Sequence, residues 1–256
     1  MQDFPTMTDH TGGVEPVPRR LRGYLNGECV FDTVSAVYVW DSPKYPAYHI
    51  PLTDVDPHLL TDDEHPRRLR RGPTTTFSLG HDESLRPGAV RAYTEDADPA
   101  VAGLARIEWD ALDAWFEEDE QVWVHPRNPY TRVDALRSSR LVRVELAGHL
   151  LAESSAPVMV FETGLPTRYY LERTAVDFSV LSPSDTVTEC PYKGRTTAYW
   201  SARVSGEDVP DVAWSYDFPT RALSPIANLI AFYNEHTQIT VDGRPASSAA
   251  IPPGHR

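Results

Sequence analysis

The chain contains an internal repeat, and this repeat limits the folds that it can adopt. Residues 22–56 and 143–177 align without a gap at a constant offset of 121 residues. The residues shared at that offset include Arg22 and Arg143, Gly27 and Gly148, Tyr48 and Tyr169, Thr53 and Thr174, Val55 and Val176, and Asp56 and Asp177. Shared order and spacing are typical of a duplicated unit. We therefore expect two tandem domains with the same fold.

The expected domain boundaries follow from the repeat and from the composition of the two ends. Residues 1–16 are polar and contain Pro and Gly, which predicts a disordered N-terminal tail. The first copy is expected at residues 17–135 and the second copy at residues 136–243. Residues 244–256 have the same character as the N-terminus, which predicts a flexible tail.

Alternation of apolar and polar residues predicts β-strands in both copies. In the segment RLVRVEL, for example, Val142, Val144 and Leu146 point to one side and Arg143 and Glu145 to the other. The segments TTAYWSARV and DVAWSY show the same alternation farther along the second copy. Each copy is therefore predicted to be mainly β, with antiparallel sheets.

One segment late in each copy predicts a helix that covers a sheet. In the second copy, Ser224 suits the N-cap and Pro225 the first helical position. The residues that follow at helical spacing form an apolar stripe, which consists of Ile226, Leu229, Ile230 and Tyr233. Residues 104–120 are the matching segment of the first copy.

Charge and hydropathy exclude several kinds of partner. The net charge is −13, whereas nucleic acids and anionic membranes bind Lys and Arg, so we expect neither as a partner. No apolar run reaches the roughly 18 residues that span a bilayer. The N-terminus also lacks the basic start and apolar segment of a signal peptide, and we therefore expect a cytoplasmic protein.

The sequence has no signature for a metal or for a common cofactor. Its two cysteines, Cys29 and Cys190, cannot supply a four-thiolate zinc site, and its histidines show no HxxxH or HExxH pairing. GxGxxG, P-loop lysine and GxSxG motifs are also missing. We expect no metal, no cofactor and a small molecule as the partner, and the sequence leaves the oligomeric state open.

The segment TECPYKG, residues 188–194, is the strongest candidate for chemistry. Cys190 is a candidate nucleophile or polar anchor, because a Lys193 ammonium close by would favour the reactive thiolate. Lys193 is a candidate to clamp a carboxylate or, if desolvated, to form a Schiff base. The alternatives are that Cys190 is a buried small hydrophobic residue and that Lys193 is an exposed turn residue.

Four residues around the next upstream turn are further candidates. Glu162 ends the apolar strand VMVFE and is a candidate general base, or else an ion-pair partner of Arg168 across the turn 163–166. Arg168, Tyr169 and Tyr170 are candidates for the entrance of a substrate pocket. Tyr169 and Tyr170 point to opposite faces of a strand, so at most one of them lines it.

Aromatic and acidic residues farther along the second copy are candidate ligand contacts. Trp200, Trp214 and Tyr216 suit the wall of a pocket for a flat or hydrophobic molecule, or else the core. Glu235 follows the predicted helix and is a candidate to reach the same cavity. The alternative for Glu235 is a solvated helix end.

The first copy does not repeat the Cys-Lys motif. When Thr76 is aligned with Thr188, Ser78 falls opposite Cys190 and no lysine follows. The first copy is therefore expected to be degenerate, with binding or activity confined to the second copy.

The motifs FETGLPTRYY, CPYKG and IANLIAFYNE, with residues 125–145, resemble the family called domain of unknown function 427. Residues 125–145 look like the joint of its two-copy members, and the resemblance covers nearly all of residues 20–243. It implies β-tent domains, in which twisted antiparallel sheets meet at one edge. Many β-tent proteins bind zinc on paired cysteines, which this chain lacks. The family implies no settled reaction.

These observations give one leading hypothesis and two alternatives. The leading hypothesis is an enzyme of small-molecule metabolism whose second copy uses Cys190, Lys193 and Glu162 on a carbonyl- or ester-containing metabolite. The first alternative is a non-catalytic small-molecule-binding protein with the same pocket. The second is a structural scaffold. The sequence leaves the choice between enzyme and binding protein open.

Overall fold

The computed structural model describes residues 4–247, which form two compact units. Residues 8–128 make up one unit, here called the first copy. Residues 129–247, together with residues 4–7, make up the other, here called the second copy. Both are mainly β and are built from curled antiparallel sheets, as the alternation predicts.

The first copy contains two sheets within its described residues. Its strands are Val14–Pro16 (β1), Leu21–Leu25 (β2), Glu28–Thr33 (β3), Val37–Val39 (β4), Ala47–Pro51 (β5), Leu60–Asp62 (β6), Arg67–Leu69 (β7), Gly72–Leu79 (β8), Arg86–Tyr93 (β9), Leu104–Ile107 (β10), Ala114–Glu117 (β11) and Glu120–Val122 (β12). The larger sheet has the order β1-β4-β5-β10-β9-β8-β6, with β7 paired to β8, and the smaller has the order β12-β11-β2-β3.

The second copy repeats this arrangement. Its strands are Val133–Arg137 (β13), Val142–Leu146 (β14), His149–Ser154 (β15), Val158–Glu162 (β16), Arg168–Leu171 (β17), Leu181–Ser184 (β18), Glu189–Cys190 (β19), Gly194–Arg195 (β20), Ala198–Val204 (β21), Glu207–Ser215 (β22), Ile230–Phe232 (β23), Gln238–Val241 (β24) and Arg244–Pro245 (β25). The sheets are β13-β16-β17-β23-β22-β21-β18, β15-β14-β24-β25 and the two-stranded β19-β20.

Matching turns explain why the two copies begin alike. Asn26 and Gly27 join β2 to β3, and both have positive φ, 51° and 81°. Ala147 and Gly148 join β14 to β15 with φ of 47° and 78°. Two consecutive residues with positive φ are typical of the tight hairpin turn that matches the twist of its strands, and glycine tolerates this backbone best. The shared glycine of the repeat therefore sets the same hairpin in both copies.

The predicted late helix is wrong in both copies. Its first part is a short 3₁₀ helix, Arg221–Ile226, and its second part is the strand β23, paired with β17 and β22. Asn228, with a φ of 62°, separates the two. Ile230, Ala231 and Phe232 are all fully buried, because both faces of β23 are covered. A strand buried on both faces has no alternation, so its apolar run resembles a buried helix.

The matching segment of the first copy shows the same error. Residues 104–120 contain the strands β10, β11 and the start of β12, with the 3₁₀ helix Trp109–Ala111 between β10 and β11. The remaining 3₁₀ helices are Leu52–Asp54, Pro57–Leu59, Asp82–Ser84, Arg173–Ala175 and Phe178–Val180. Within residues 4–247, no helix is long and apolar enough to cross a membrane.

The tails also differ from the prediction where the structure describes them. Val14–Pro16 form a strand at the edge of the larger sheet, paired with β4, and Val14 packs against a cluster that contains Val39 and Val101. Proline is tolerated there because an edge strand leaves one row of N–H groups unpaired. Arg244–Pro245 pair with β24. The rest of the predicted C-terminal tail, residues 248–256, lies outside the described residues.

The core of the second copy consists of two apolar clusters on opposite faces of its larger sheet. One contains Val144, Leu171, Ile230 and Phe232, and the other contains Tyr170 and Ala231 together with the aromatic residues Tyr199, Trp214 and Tyr216. Because successive residues of a strand point to opposite faces, neighbours such as Tyr169 and Tyr170 belong to different clusters.

Candidate functional site

The TECPYKG segment forms a tight hairpin. Cys190 on β19 pairs with Gly194 on β20, and three residues form the turn between them. Gly194 has a φ of 96°, as the sequence predicts for a glycine at a turn. The loop before the 3₁₀ helix fixes this hairpin, since the Thr220 N–H donates to the Lys193 carbonyl (3.0 Å) and the Thr220 hydroxyl donates to the Tyr192 carbonyl (2.6 Å).

The hairpin and the end of β16 bring together an amine, a thiol and a carboxylate. The Lys193 ammonium donates a hydrogen bond to the Glu162 carboxylate, and only about a tenth of either side chain is exposed. The same ammonium lies 3.9 Å from the Cys190 Sγ atom. Backbone N–H groups of Tyr192 and Lys193 also donate to that sulfur. Lys193 is therefore neither an exposed turn residue nor unpaired.

The electrostatics of this cluster differ from the sequence prediction. Burial raises the pKa of the Cys190 thiol, and although the Lys193 ammonium opposes this effect, Glu162 adds to it. Burial acts against the charge on Lys193, but the negative charges that Cys190 and Glu162 can carry outweigh it and raise the pKa of Lys193. The resting site therefore holds a protonated amine and a neutral thiol. The raised pKa of Cys190 agrees with the alternative that it is a buried small residue, and the raised pKa of Lys193 disfavours the neutral amine that a Schiff base needs.

Two neutral phenols lie beside the cluster. Tyr170 is fully buried, its hydroxyl accepts a hydrogen bond from Trp214 Nε1 (3.2 Å), and burial raises its pKa to about 12. Burial also raises the pKa of Tyr216 well above its usual value, with further contributions from the nearby Tyr170 and Cys190. Both phenols stay protonated at neutral pH, so they add no negative charge next to the thiol.

A second buried ion pair lies on the same face of the sheet. Arg168 donates two hydrogen bonds to the Glu235 carboxylate (both 2.8 Å) and one to Asn234 Oδ1 (2.9 Å). Its guanidinium lies over the rings of Trp214 (5.8 Å) and Tyr233 (5.5 Å). The alternative prediction that Arg168 pairs with Glu162 is wrong. Glu235 is not a solvated helix end, because it is the partner of a buried arginine.

Tyr169 and Trp200 are not part of this arrangement. Both belong to the apolar cluster on the other face of the sheet, and Trp200 lies beneath the Arg173 guanidinium (5.2 Å). The alternation of a strand accounts for this placement, since Tyr170 and Tyr199, their neighbours in sequence, belong to the cluster on the Trp214 face. Among the predicted contacts, the structure brings Tyr170, Trp214 and Tyr216 to the Cys190 side.

Sequence reasoning missed a chain of hydroxyl groups beside the site. The hydroxyls of Thr188 and Tyr199 are 2.8 Å apart, and those of Tyr199 and Tyr233 are 3.0 Å apart. The alternation of β21 is a sequence signal for Tyr199, because it places Tyr199 on the face opposite Trp200. Tyr233 was hidden by its assignment to the apolar stripe of a helix.

The counterpart of this hairpin in the first copy is not where the sequence alignment puts it. Ser78 lies on β8, and its hydroxyl donates to Asp63 Oδ1 (2.5 Å). Strand β8 corresponds to β21 of the second copy, because β8 pairs with β6 in the way that β21 pairs with β18. The hairpin that precedes this strand is formed by β7 and the start of β8, where Leu69 pairs with Gly72. The predicted match of Ser78 with Cys190 is therefore wrong, and Leu69 takes the place of the thiol.

The first copy does keep a cation at this turn. Arg71 precedes Gly72 (φ 136°) as Lys193 precedes Gly194, and its carbonyl accepts the Asp98 N–H (2.7 Å) as that of Lys193 accepts the Thr220 N–H. Its Nε atom lies 4.0 Å from the Asp41 carboxylate. Asp41 is the repeat counterpart of Glu162 at the offset of 121 residues. The first copy therefore lacks the cysteine and the lysine, as its sequence indicates, but it keeps a cation at this turn.

No group of three or more His, Cys, Asp or Glu side chains within residues 4–247 is arranged to hold a metal ion. A comparison with curated proteins finds no match for the chain. A comparison with family models finds a family that matches residues 13–118 and again residues 134–243. Each match covers most of one copy described above. The chain therefore belongs to the family described as "Domain of unknown function (DUF427)" and carries two tandem copies of its domain.

Proposed function

We propose that the second copy binds a small molecule at Cys190, Lys193 and Glu162, through a carbonyl, ester or carboxylate oxygen of that molecule. The supporting observation is a buried ammonium–carboxylate pair with a thiol 3.9 Å from the ammonium nitrogen. Removing two charges from water costs several kcal/mol per ion, and apolar side chains of similar volume often stabilise a fold as well or better. A site that uses the charges accounts for their presence.

The ammonium is the group that would hold the ligand. The hydrogen bond that Lys193 donates to the Glu162 carboxylate fixes the position of the ammonium. A ligand oxygen that accepts a hydrogen bond from this ammonium therefore binds a cation that is already oriented. The neutral phenols of Tyr170 and Tyr216 exclude water without adding a competing charge. In such surroundings a hydrogen bond that an ammonium donates is stronger than it is in water.

A second candidate function, the action of Cys190 as a nucleophile, uses the same groups. The ammonium and the two backbone N–H groups that face the sulfur all favour a thiolate. When a ligand carbonyl displaces Glu162 from the ammonium, the thiol proton passes to the Glu162 carboxylate and the sulfur bonds to the carbonyl carbon. The carbonyl oxygen then carries the negative charge beside Lys193. Hydrolysis, elimination and isomerisation are each compatible with this first step.

Alkylation of Cys190 by iodoacetamide tests the proposal. In a Cys29→Ser background, we expect the reaction to be slow at pH 7 and to accelerate at a pH above that of an exposed thiol, since burial and Glu162 disfavour the thiolate. Glu162→Gln should shift the profile to lower pH, and Lys193→Met should shift it to higher pH. Cys190→Ser in the same background serves as the control for other alkylation.

A hairpin that no small molecule can enter would give a different alkylation rate. If Cys190 reacts only as fast as the whole chain unfolds, with one pH profile in all three proteins, no small molecule reaches the sulfur. The scaffold alternative would then replace the proposed function.

The proposal also includes a β-tent arrangement of the sheets, a small-molecule partner and a cytoplasmic location. The two main antiparallel sheets in each copy support a β-tent arrangement of the kind that the resemblance implies. The net charge of −13 supports a small-molecule partner rather than a nucleic acid or an anionic membrane. A cytoplasmic location is part of the same proposal, and microscopy of the tagged full-length protein tests it.

A further inference from the structure

The first copy contains an open cavity at the turn that corresponds to the lysine hairpin of the second copy. Its volume is about 410 Å³. The residues that line it include Gly12, Arg68, Arg70, Arg71, Asp96 and Asp98. Three of these six are arginines, in a chain whose net charge is −13. Counting Asp96 and Asp98 as well, the lining side chains carry one more positive than negative charge.

Hydrogen bonds fix the Arg71 side chain, which lines the cavity. Its guanidinium donates to the Asp98 carboxylate (3.2 Å) and to the Gly12 carbonyl (2.7 Å), and it lies near Asp41. About a tenth of the side chain is exposed. Its Nε atom is buried and makes no hydrogen bond to the part of the chain that the structure describes. Arg71 therefore supplies a fixed wall and one unsatisfied donor.

Arg68 and Arg70 differ from Arg71 in that neither has an ion-pair partner among the described residues. Both side chains are exposed. They lie two positions apart in the hairpin of β7 and β8 and line the same cavity. Like charges held close together repel each other, and an anion between them removes that repulsion.

We propose that this cavity binds a small molecule through an oxyanion, either a carboxylate or a phosphate group, held by Arg68 and Arg70. The planar guanidinium presents paired N–H donors that match the two oxygens of such groups. Asp96 lines the same cavity and forms no ion pair among the described residues. It would accept a hydrogen bond from a hydroxyl or ammonium group elsewhere on the ligand, and would repel a ligand that carries only negative charge.

Calorimetric titration of the full chain with inorganic phosphate, and separately with acetate, tests the proposal. We expect Arg68→Ala and Arg70→Ala each to weaken binding of the preferred anion by about tenfold, because each removes a charged hydrogen-bond donor. Asp96→Asn should strengthen it severalfold by removing the repulsion. A preference for phosphate assigns a phosphate ester as the ligand class, and a preference for acetate assigns a carboxylate.

Arg67→Ala is the matched control. Arg67 lies on the same strand and is also exposed, but it does not line the cavity, so its removal should change the affinity by less than about twofold. An equal loss in Arg67→Ala would show that the anions sense only the general charge of the strand. Either that result or the absence of heat with both anions at about 10 mM would overturn the proposal.

Discussion

The lysine hairpin of the second copy and the arginine hairpin of the first copy occupy the same place in the fold but treat their cation differently. In the second copy, a three-residue turn puts Lys193 next to Glu162 and Cys190. In the first copy, a two-residue turn puts Arg71 among Asp98, Asp41 and a backbone carbonyl. The fold thus preserves a cation at this turn, and the length of the turn changes what lies beside it.

The difference shows how one scaffold can hold two kinds of charged cluster. Lys193 and its single carboxylate partner are both largely buried, so the charge is confined to a short contact beside the thiol. Arg71 interacts with two carboxylates, those of Asp41 and Asp98. Arg68 and Arg70, its neighbours in sequence, line an open cavity with it. Under the two proposals above, the copies differ in the ligand chemistry that they suit.

The copies also differ at the start of β17, where the second copy has a second buried ion pair. Arg168, at the start of β17, forms the buried pair with Glu235, whereas Ala47 takes the corresponding position in the first copy at the offset of 121 residues. An alanine cannot form an ion pair, so this second charged pair is specific to the second copy. The aromatic rings of Trp214 and Tyr233 beneath the Arg168 guanidinium belong to the same local arrangement.

The largest expected effect is the loss of stability when the buried Lys193–Glu162 ion pair is broken. Lys193→Met leaves the Glu162 carboxylate buried without its cation, which should lower the free energy of unfolding by about 3–5 kcal/mol. The double change Lys193→Met with Glu162→Leu should recover most of that loss, because it removes both charges. Urea unfolding followed by far-ultraviolet circular dichroism measures both.

Arg195→Met is the control in the same hairpin. Arg195 is well exposed and lies 3.9 Å from Glu189, so its loss should cost less than about 1 kcal/mol. If Lys193→Met were as mild as Arg195→Met, the Lys193–Glu162 pair would not be the buried contact on which the comparison depends.

A reciprocal exchange of the two cations should have an intermediate effect. Arg71→Lys keeps the charge but cannot reach the Asp98 carboxylate and the Gly12 carbonyl together, so we expect a loss of about 1–2 kcal/mol. Lys193→Arg inserts a larger planar group into a packed site, and we expect a loss of about 1–3 kcal/mol. Urea unfolding of both variants checks these values, and no loss in either would mean that the hairpins accept the two cations equally.

The smallest expected effect concerns pH and the pair that only the second copy contains. Burial tends to raise the pKa of Glu235, but the hydrogen bonds and charge of Arg168 outweigh burial and lower it. A carboxyl group whose pKa is lower in the folded state stabilises the fold above its unfolded pKa, roughly 4.3 for glutamate. That contribution is lost as the pH falls through the folded pKa.

The measurement is the free energy of unfolding between pH 6 and pH 3 for the wild type and Glu235→Gln. The difference between the two proteins should be largest at the upper end of this range and should shrink as the pH falls. A constant difference would show that Glu235 does not stay ionised below its usual range. Glu207→Gln, a change at an exposed position of β22 with no ion pair among the described residues, serves as the control.

Much of the β-structure could be predicted from the sequence, and the late helix could not. Val142, Val144 and Leu146 alternate with polar residues because one side of β14 faces the core and the other faces solvent. No such contrast exists on β23, where Ile230 and Phe232 pack against one cluster and Ala231 packs against the other. Its pairing with β17 and β22 depends on residues that are distant in sequence.

The candidate site was predictable only within its hairpin. Cys190 and Lys193 had to lie close together, because a tight turn brings its two ends into contact. The sequence did not indicate whether Glu162 would pair with Lys193 or Arg168, since both are reachable from the end of β16. Aligning Thr76 with Thr188 misplaced the first-copy counterpart, whereas the repeat offset of 121 residues itself puts Leu69 opposite Cys190.

By itself the sequence determined the duplication, the family, the mainly β character and the thiol–amine neighbourhood, since these depend on local order, spacing and alternation. The tertiary structure decided the rest. Burial and the Glu162 carboxylate, which the fold brings from another strand, keep the Cys190 thiol neutral. Arg71 joins Asp41 and Asp98 because strand pairing sets their positions. Charge interactions depend on distance and desolvation, and both quantities are fixed only when segments remote in sequence pack together.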